Sequence, residues 1–171
     1  MKRLSLIFIL AVFVAAGCST KVDVGPSSGM RLEPGQAISV ITPADGSYGN
    51  TNYPGSGAIT ASLLQRALSA KNPEVRIVQG SELQSALKSA ARSGSRYAFH
   101  PQITNWEPRA AAWSGRPTRV AIVMAVYDLK NGSKVISQQS MDVRGRISTF
   151  ISQSSEDVLK QLFEGYADQL L

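Results

Sequence analysis

Few side chains in this sequence have the types and spacing that catalysis requires. His100 is the only histidine and Cys18 the only cysteine, so a zinc site built from several such residues is excluded. One hydrolase arrangement can be drawn, with Ser56 as nucleophile and His100 and Asp45 as helpers. Ser56 stands between two glycines, however, and lacks the Gly-x-Ser-x-Gly turn that presents a hydrolase nucleophile. We therefore predict that the protein is not an enzyme and that it uses no metal or cofactor.

Cys18 indicates a different chemistry, the acylation of a thiol. Lys2 and Arg3 open the chain, about eleven mostly apolar residues follow, and small residues stand just before Cys18. The apolar run is too short to span a bilayer, which takes roughly twenty residues, and has the layout of a secretory leader. Its end resembles a bacterial lipoprotein signal, in which the leader is cut before the cysteine and the cysteine receives acyl chains such as palmitate. We expect residues 1–17 to be a signal peptide and Cys18 to be lipidated.

Ser19 bears on where the protein works. In the lipoproteins that this leader resembles, an aspartate after the cysteine favours retention in the inner membrane, so Ser19 implies sorting to the outer membrane. The domain would then face the periplasm and be held by acyl chains alone, each buried methylene contributing about 0.8 kcal/mol. The alternative is an ordinary signal peptide whose cleavage removes Cys18 altogether.

Composition limits the partners of the mature chain. The precursor has 171 residues and a net charge of +6, but Lys2 and Arg3 leave with the leader, so the mature charge is +4. This excess is modest and spread without a basic run, which argues against binding to nucleic acid. The membrane, through the lipid at Cys18, and an envelope protein are the partners that we expect. With Cys18 acylated no thiol remains for a disulfide, so the core alone must hold the fold.

Residues 18–35 are predicted to be the lipidated cysteine and a flexible tether, since glycine, proline and serine dominate this segment. A coil of this length spans roughly 20 to 25 Å. Residues 36–171 form a single globular domain in this prediction, because their number suits one core and not two.

Apolar patterns in the domain predict the order strand, helix, strand, helix, three strands, helix. Ser154 and Asp157 have the spacing of a capping box and mark the start of the last helix. Alternating apolar residues are clearest in the strand from Arg119 to Leu129, and Asn131-Gly132 predicts a two-residue hairpin after it. Pro101 lacks an amide donor and indicates an edge position or a bulge in the third strand. The fold class is therefore α/β, a two-layer sandwich with one mixed five-stranded sheet and helices mainly on one face.

Two loops, residues 44–57 and residues 107–117, are expected at one edge of this sheet, because parallel strands one and three would end there. Both loops carry aromatic side chains of the kind enriched in binding hot spots, and arginine can stack on such rings. The alternative is that the second loop folds back over the core, with its tryptophans buried and Glu107 paired to Arg109 or Arg116. The candidate partner-binding residues are Tyr48, Tyr53, Trp106, Glu107, Arg109 and Trp113.

The second loop resembles the signature of a family of small proteobacterial lipoproteins catalogued as domain of unknown function 4823. Pro108, Ala111 and Thr118 depart from the family pattern, which has an acidic residue, threonine and aspartate there. The resemblance covers about residues 36–171 and implies lipid attachment and a periplasm-facing domain, but no activity. The layout is also similar, more loosely, to accessory lipoproteins of envelope transport and assembly systems. The matching positions are Trp106, Glu107, Arg109, Ala110, Trp113, Ser114, Gly115 and Pro117.

Three hypotheses of function follow. The leading one is a non-enzymatic adaptor that binds a protein partner in an envelope assembly or transport complex through the two aromatic loops. The second is a module for a small envelope ligand, a glycan or a lipid, which requires a concave pocket between the loops. The third is a hydrolase, which requires a serine or carboxylate within hydrogen-bond reach of His100.

Overall fold

The computed structural model describes residues 22–24, 30–80, 82–108, 116–145 and 153–171. The predicted order of strands and helices is confirmed there, with a short N-terminal strand and a small hairpin in addition. None of the described helices is long and apolar enough to cross a bilayer. The elements are β1 (Val22–Val24), β2 (Ile38–Ile41), β3 (Ser47–Tyr48), β4 (Thr51–Asn52), α1 (Ser56–Ser69), β5 (Val75–Val78), α2 (Leu83–Arg92), β6 (Tyr97–Glu107), β7 (Arg119–Asp128), β8 (Lys134–Arg144) and α3 (Ser155–Leu170).

The main sheet has the strand order β1-β8-β7-β6-β2-β5 among the described residues. β2 pairs in parallel with both β5 and β6, because α1 and α2 carry the chain back between these strands. β6, β7 and β8 follow one another as antiparallel neighbours. The five predicted strands therefore form one mixed sheet, which confirms the α/β fold class, and β1 adds a sixth strand beside β8.

β1 lies within the segment that we predicted to be a flexible tether. It pairs antiparallel with β8, Val22 opposite Val143 and Val24 opposite Met141. Further along, Leu32 is buried in the main core, and its N–H donates to the Leu170 carbonyl at 3.0 Å. The described parts of the segment are thus fixed on the domain, which corrects the tether prediction. The β-branched Val22 and Val24 favour a strand within a segment rich in glycine and proline.

The core has two parts, one on each face of the sheet. α1 and α3 pack side by side on one face over the larger part, where the rings of Phe99 and Tyr166 meet edge to face at 6.3 Å. α2 covers β2 and β5 on the other face, through Ala86, Leu87 and Ala90. All four residues of β2 are buried, as expected for a strand covered on both faces.

Pro101 lies in an internal strand but at a local edge. β2 pairs with β6 only as far as Phe99, so in the described residues Pro101 has a strand partner on one side alone, Met124 of β7. Because no strand pairs with Pro101 on the β2 side, its lack of an N–H removes no hydrogen bond between strands on that side. A register shift lies a little further along, between Ile103 and Asn105.

The turn between β7 and β8 is longer than predicted. Asp128 pairs with Lys134, so residues 129–133 form the connection instead of the two residues Asn131 and Gly132. Gly132 and Ser133 both have positive φ, at 78° and 59°. Asn131 and Gly132 still favour a chain reversal at this point, but the prediction of a two-residue turn is wrong.

Candidate functional site

One end of the sheet collects the loops that the sequence singled out. β2, β5, β6 and β8 all run in the same direction, so their last residues lie at this end, which we call the loop edge. Within the described residues it comprises 42–55, 79–80, 108, 116–118 and 145, together with the first turns of the three helices. The expectation that the loops after the first and third predicted strands share an edge is confirmed.

The loop after β2 is held in place by hydrogen bonds to the start of α1. The Ser56 Oγ donates to the Tyr53 carbonyl at 2.7 Å and accepts from the Gly46 N–H at 2.8 Å. The Gly57 N–H donates to Oδ1 of Asp45 at 2.8 Å. Ser56 therefore has a structural role, since its hydroxyl closes the loop around the β3–β4 hairpin.

The predicted hydrolase arrangement is not present. Ser56 is buried at the start of α1, on the sheet face that α1 and α3 cover. Phe99 packs into that same core, so alternation along β6 directs His100 to the opposite face. Burial lowers the pKa of His100, and its Nδ1 has no hydrogen-bond partner among the described residues. The sheet thus lies between serine and histidine, and this catalytic pair is excluded.

Trp106 is a core residue and not an exposed anchor. Only 5% of it is exposed, and it belongs to the main core cluster. The loop after β2 lies directly on it: a Cβ added to Gly46 would come within 2.6 Å of Cγ2 of Ile103 and 2.8 Å of Cβ of Trp106. This corrects the prediction that the Trp106 ring meets a partner. A large ring on the helix-covered face of β6 is stabilised more by burial than by exposure.

The other predicted partner-binding residues differ in exposure. Tyr48, next to the β3–β4 turn, is 41% exposed. Tyr53 is partly buried against the main core, and Glu107 is half-buried at the end of β6, paired with Arg119 in the ladder. Three further residues that we predicted to be functional lie outside the described residues: Arg109, Trp113 and Cys18.

An ion pair that the sequence analysis missed lies beside Tyr48 and Glu107. Arg119 Nε donates to both carboxylate oxygens of Asp142 at 3.0 Å, and its Nη2 also bonds Oδ2. The hydrogen bond to Asp142 and the charge of Asp142 raise the pKa of Arg119, and the nearby Glu107 and Tyr48 raise it further. The hydrogen bond from Arg119 in turn lowers the pKa of Asp142. The pairing of these two side chains depends on the β7–β8 register, which joins residues distant in the sequence.

A shallow crevice of about 400 Å³ opens at the same edge, between the end of β6 and the start of α3. The Ser154 side chain accepts from the Asp157 N–H and the Asp157 carboxylate accepts from the Ser154 N–H, so the predicted capping box is confirmed. Among the described residues, no three His, Cys, Asp or Glu side chains gather into a metal site. The crevice is lined by Trp106, Pro108, Thr118, Gln153, Ser154, Ser155 and Glu156.

Solved structures share this fold. PelC from Paraburkholderia phytofirmans, described as a dodecamer, is 20% identical and matches with a TM-score of 0.66, over 89% of this chain and 98% of that one. A variant of the same PelC with a leucine replaced by methionine matches over the same shares at 19% identity and a TM-score of 0.67. The hypothetical protein CT253 from Chlamydia trachomatis is 12% identical, with a TM-score of 0.50 over 77% of this chain and 98% of that one. At these identities the likeness concerns the fold alone.

No protein of curated function matches the sequence. The model of one family, described as domain of unknown function (DUF4823), matches residues 30–170. This match covers the domain from the segment before β2 to the end of α3, and it agrees with the resemblance of the tryptophan loop. The chain therefore belongs to the DUF4823 family.

Proposed function

We propose that this protein is a lipoprotein of the bacterial envelope, anchored through Cys18 in the outer membrane and facing the periplasm. In this proposal it is a non-enzymatic adaptor whose loop edge binds a protein partner in an envelope assembly or transport complex. The observation that carries it is the gathering of Tyr48, Glu107 and the Arg119–Asp142 pair at that edge.

The composition of this edge suits a protein contact. Tyrosine and arginine are enriched among the residues that dominate binding energy, and Tyr48 is exposed beside Arg119. The β3–β4 hairpin is held by Ser56 and lies on Trp106, so it loses little conformational freedom on binding. The buried Trp106 thus supports the contact surface from below.

The lipid anchor is tested by metabolic labelling with a fatty acid that carries an alkyne. We expect the label on the mature chain and its complete loss in Cys18→Ala, which keeps the rest of the protein unchanged. A labelled Cys18→Ala variant, or an unlabelled wild-type chain in the soluble fraction, would contradict the anchor.

The adaptor role is tested by photocrosslinking in living cells, with the probe at Tyr48. Val135 provides the matched control, because it is 44% exposed but lies near the other end of the sheet. We expect one discrete envelope protein attached at position 48 and not at position 135. PelC, which shares the fold, is described as a dodecamer, so an adduct of twice the chain's mass would identify a second copy as the partner. Identical adducts from both positions, or none from position 48 at a normal protein level, would refute the adaptor role of the loop edge.

A small envelope ligand, a glycan or a lipid, is the second candidate. The crevice over Trp106 favours it, because this aromatic ring lies among polar lining groups. Titration of a Trp113→Phe variant would follow Trp106 fluorescence alone. A saturable change with peptidoglycan fragments or with phospholipid micelles would support this candidate, and an unchanged spectrum with both would remove it.

A further inference from the structure

The strand β1 shows at which end of the sheet the anchored chain leaves the domain. β1 is antiparallel to β8, and Val22 stands opposite Val143, next to the last residue of β8. The chain that precedes Val22 therefore continues towards Arg144 and the loop edge. Cys18 is joined to the domain at the same edge as Tyr48.

The distance from Cys18 to the sheet is short. Cys18 lies four positions before Val22, and even a fully extended chain of four steps reaches only about 14 Å. A tether of seventeen residues without β1 would leave the domain free to turn. With β1 paired, the lipid and the loop edge are held close together.

We propose that the loop edge faces the bilayer that holds Cys18, with the β3–β4 hairpin at its headgroup layer. This inference rests on the lipidation proposed above and adds the orientation of the domain. The opposite orientation does not fit the length of chain. Val135 lies eight residues before Val143 on β8, about 26 Å along the strand, whereas the chain from Cys18 reaches about 14 Å.

Side chains at the loop edge suit the membrane surface. Tyr48 is exposed on the hairpin, and tyrosine rings favour the interface between headgroups and acyl chains. Arg144 is exposed at the end of β8, where its guanidinium can meet lipid phosphates. The acidic Asp45 and Glu156 lie at the same edge, so the charge of the loop edge does not by itself favour binding to an anionic membrane surface. The length and direction of the anchored chain carry the inference.

The orientation restricts the partner of the adaptor. A protein that reaches the loop edge must do so at the bilayer surface, which points to a component embedded in the same membrane. A soluble periplasmic protein would approach the opposite end, where the β7–β8 turn lies.

The experiment measures the depth of two positions in lipidated protein. Tyr48→Cys and Val135→Cys carry a thiol-reactive fluorophore, which labels one site only because the acylated Cys18 has no free thiol. The proteins are reconstituted into vesicles of phosphatidylethanolamine and phosphatidylglycerol that contain a lipid with a nitroxide headgroup. We expect quenching at position 48 to exceed quenching at position 135 several-fold. Equal quenching, or stronger quenching at position 135, would overturn the orientation.

A backbone variant tests whether β1 sets the orientation. Val22→Pro/Asp23→Pro removes two consecutive amide donors of β1, one of which must face β8 in an antiparallel ladder, whereas Val22→Ala/Asp23→Ala keeps both. We expect the difference between positions 48 and 135 to shrink in the proline variant and to persist in the alanine variant. A full difference in the proline variant would refute the role of β1. Vesicle flotation separates the two proposals: protein that fails to float refutes the anchor and the orientation, whereas floating protein with equal quenching refutes the orientation alone.

Discussion

Replacement of Gly46 by alanine should destabilise the domain, because the loop after β2 has no room for a methyl group there. The added Cβ would stand 2.6 Å from Cγ2 of Ile103 and 2.8 Å from Cβ of Trp106. The Ile103 methyl can turn away, but Cβ of Trp106 is fixed to the backbone of β6. The loop must therefore move, and overpacking of this kind costs about 1 to 3 kcal/mol.

Gly165 provides the matched control, since the same substitution there should have the opposite effect. Gly165 is exposed within α3, and a Cβ would meet nothing within 4 Å. Alanine favours a helix over glycine by about 0.5 to 1 kcal/mol. Gly165→Ala should therefore raise the free energy of unfolding while Gly46→Ala lowers it.

Urea denaturation of the mature chain measures both effects, with Cys18→Ala as background so that the protein stays in solution. In thermal unfolding, the expected loss of stability in Gly46→Ala would appear as a fall in Tm of roughly 3 to 9 °C for a domain of this size. The dependence of the unfolding free energy on urea should stay unchanged, because both variants bury the same surface. A Gly46→Ala midpoint equal to that of the parent would show that the loop does not rest on Trp106, and the account of the loop edge would be wrong.

Three other substitutions have defined outcomes. Trp106→Ala should lower the free energy of unfolding by about 3 to 5 kcal/mol, since a buried indole is lost, and the fall should appear in urea midpoints and in the protein level in cells. Asp142→Asn should lower it by no more than about 1 kcal/mol at pH 7, because the pair with Arg119 is partly exposed. The hydrogen bond from Arg119 lowers the folded-state pKa of Asp142, so its contribution is present above the unfolded pKa and lost as pH falls through the folded pKa. Midpoints of parent and Asp142→Asn should therefore converge in acid, and a constant gap down to about pH 2 would contradict the pairing. Ser154→Ala should cost about 1 kcal/mol through loss of the capping box with Asp157, and an unchanged midpoint would show that the cap is dispensable.

Local patterns were sufficient for the elements that carry their own periodicity. The alternation from Arg119 onwards defined β7, and the pair Ser154 and Asp157 located the start of α3. These features depend on neighbours within a few residues. The shared edge of two loops also followed, because it depends on strand direction alone.

Other features depend on contacts between distant parts of the chain, and here sequence patterns were insufficient. The burial of Trp106 depends on the close approach of Gly46, sixty residues earlier in the chain. The Arg119–Asp142 pair joins side chains of two neighbouring strands that are twenty-three positions apart in the chain, so no local pattern reveals it. β1 has only three residues, too few for alternation to stand out from the glycines and prolines around it.

The pairing of β1 with β8 also has a mechanical consequence. In the lipidated protein that we propose, a pull that separates the domain from the membrane would act on Val22 along the strand, which loads the three pairs with β8 in shear. The next described residues that contact the core are Met30, which packs against the main cluster, and Leu32, whose N–H is bonded to the end of α3. Release of β1 would therefore extend the maximum reach from Cys18 from about 14 Å to about 40 Å while the core stays folded. This short strand sets the force at which the domain can leave the membrane surface without unfolding.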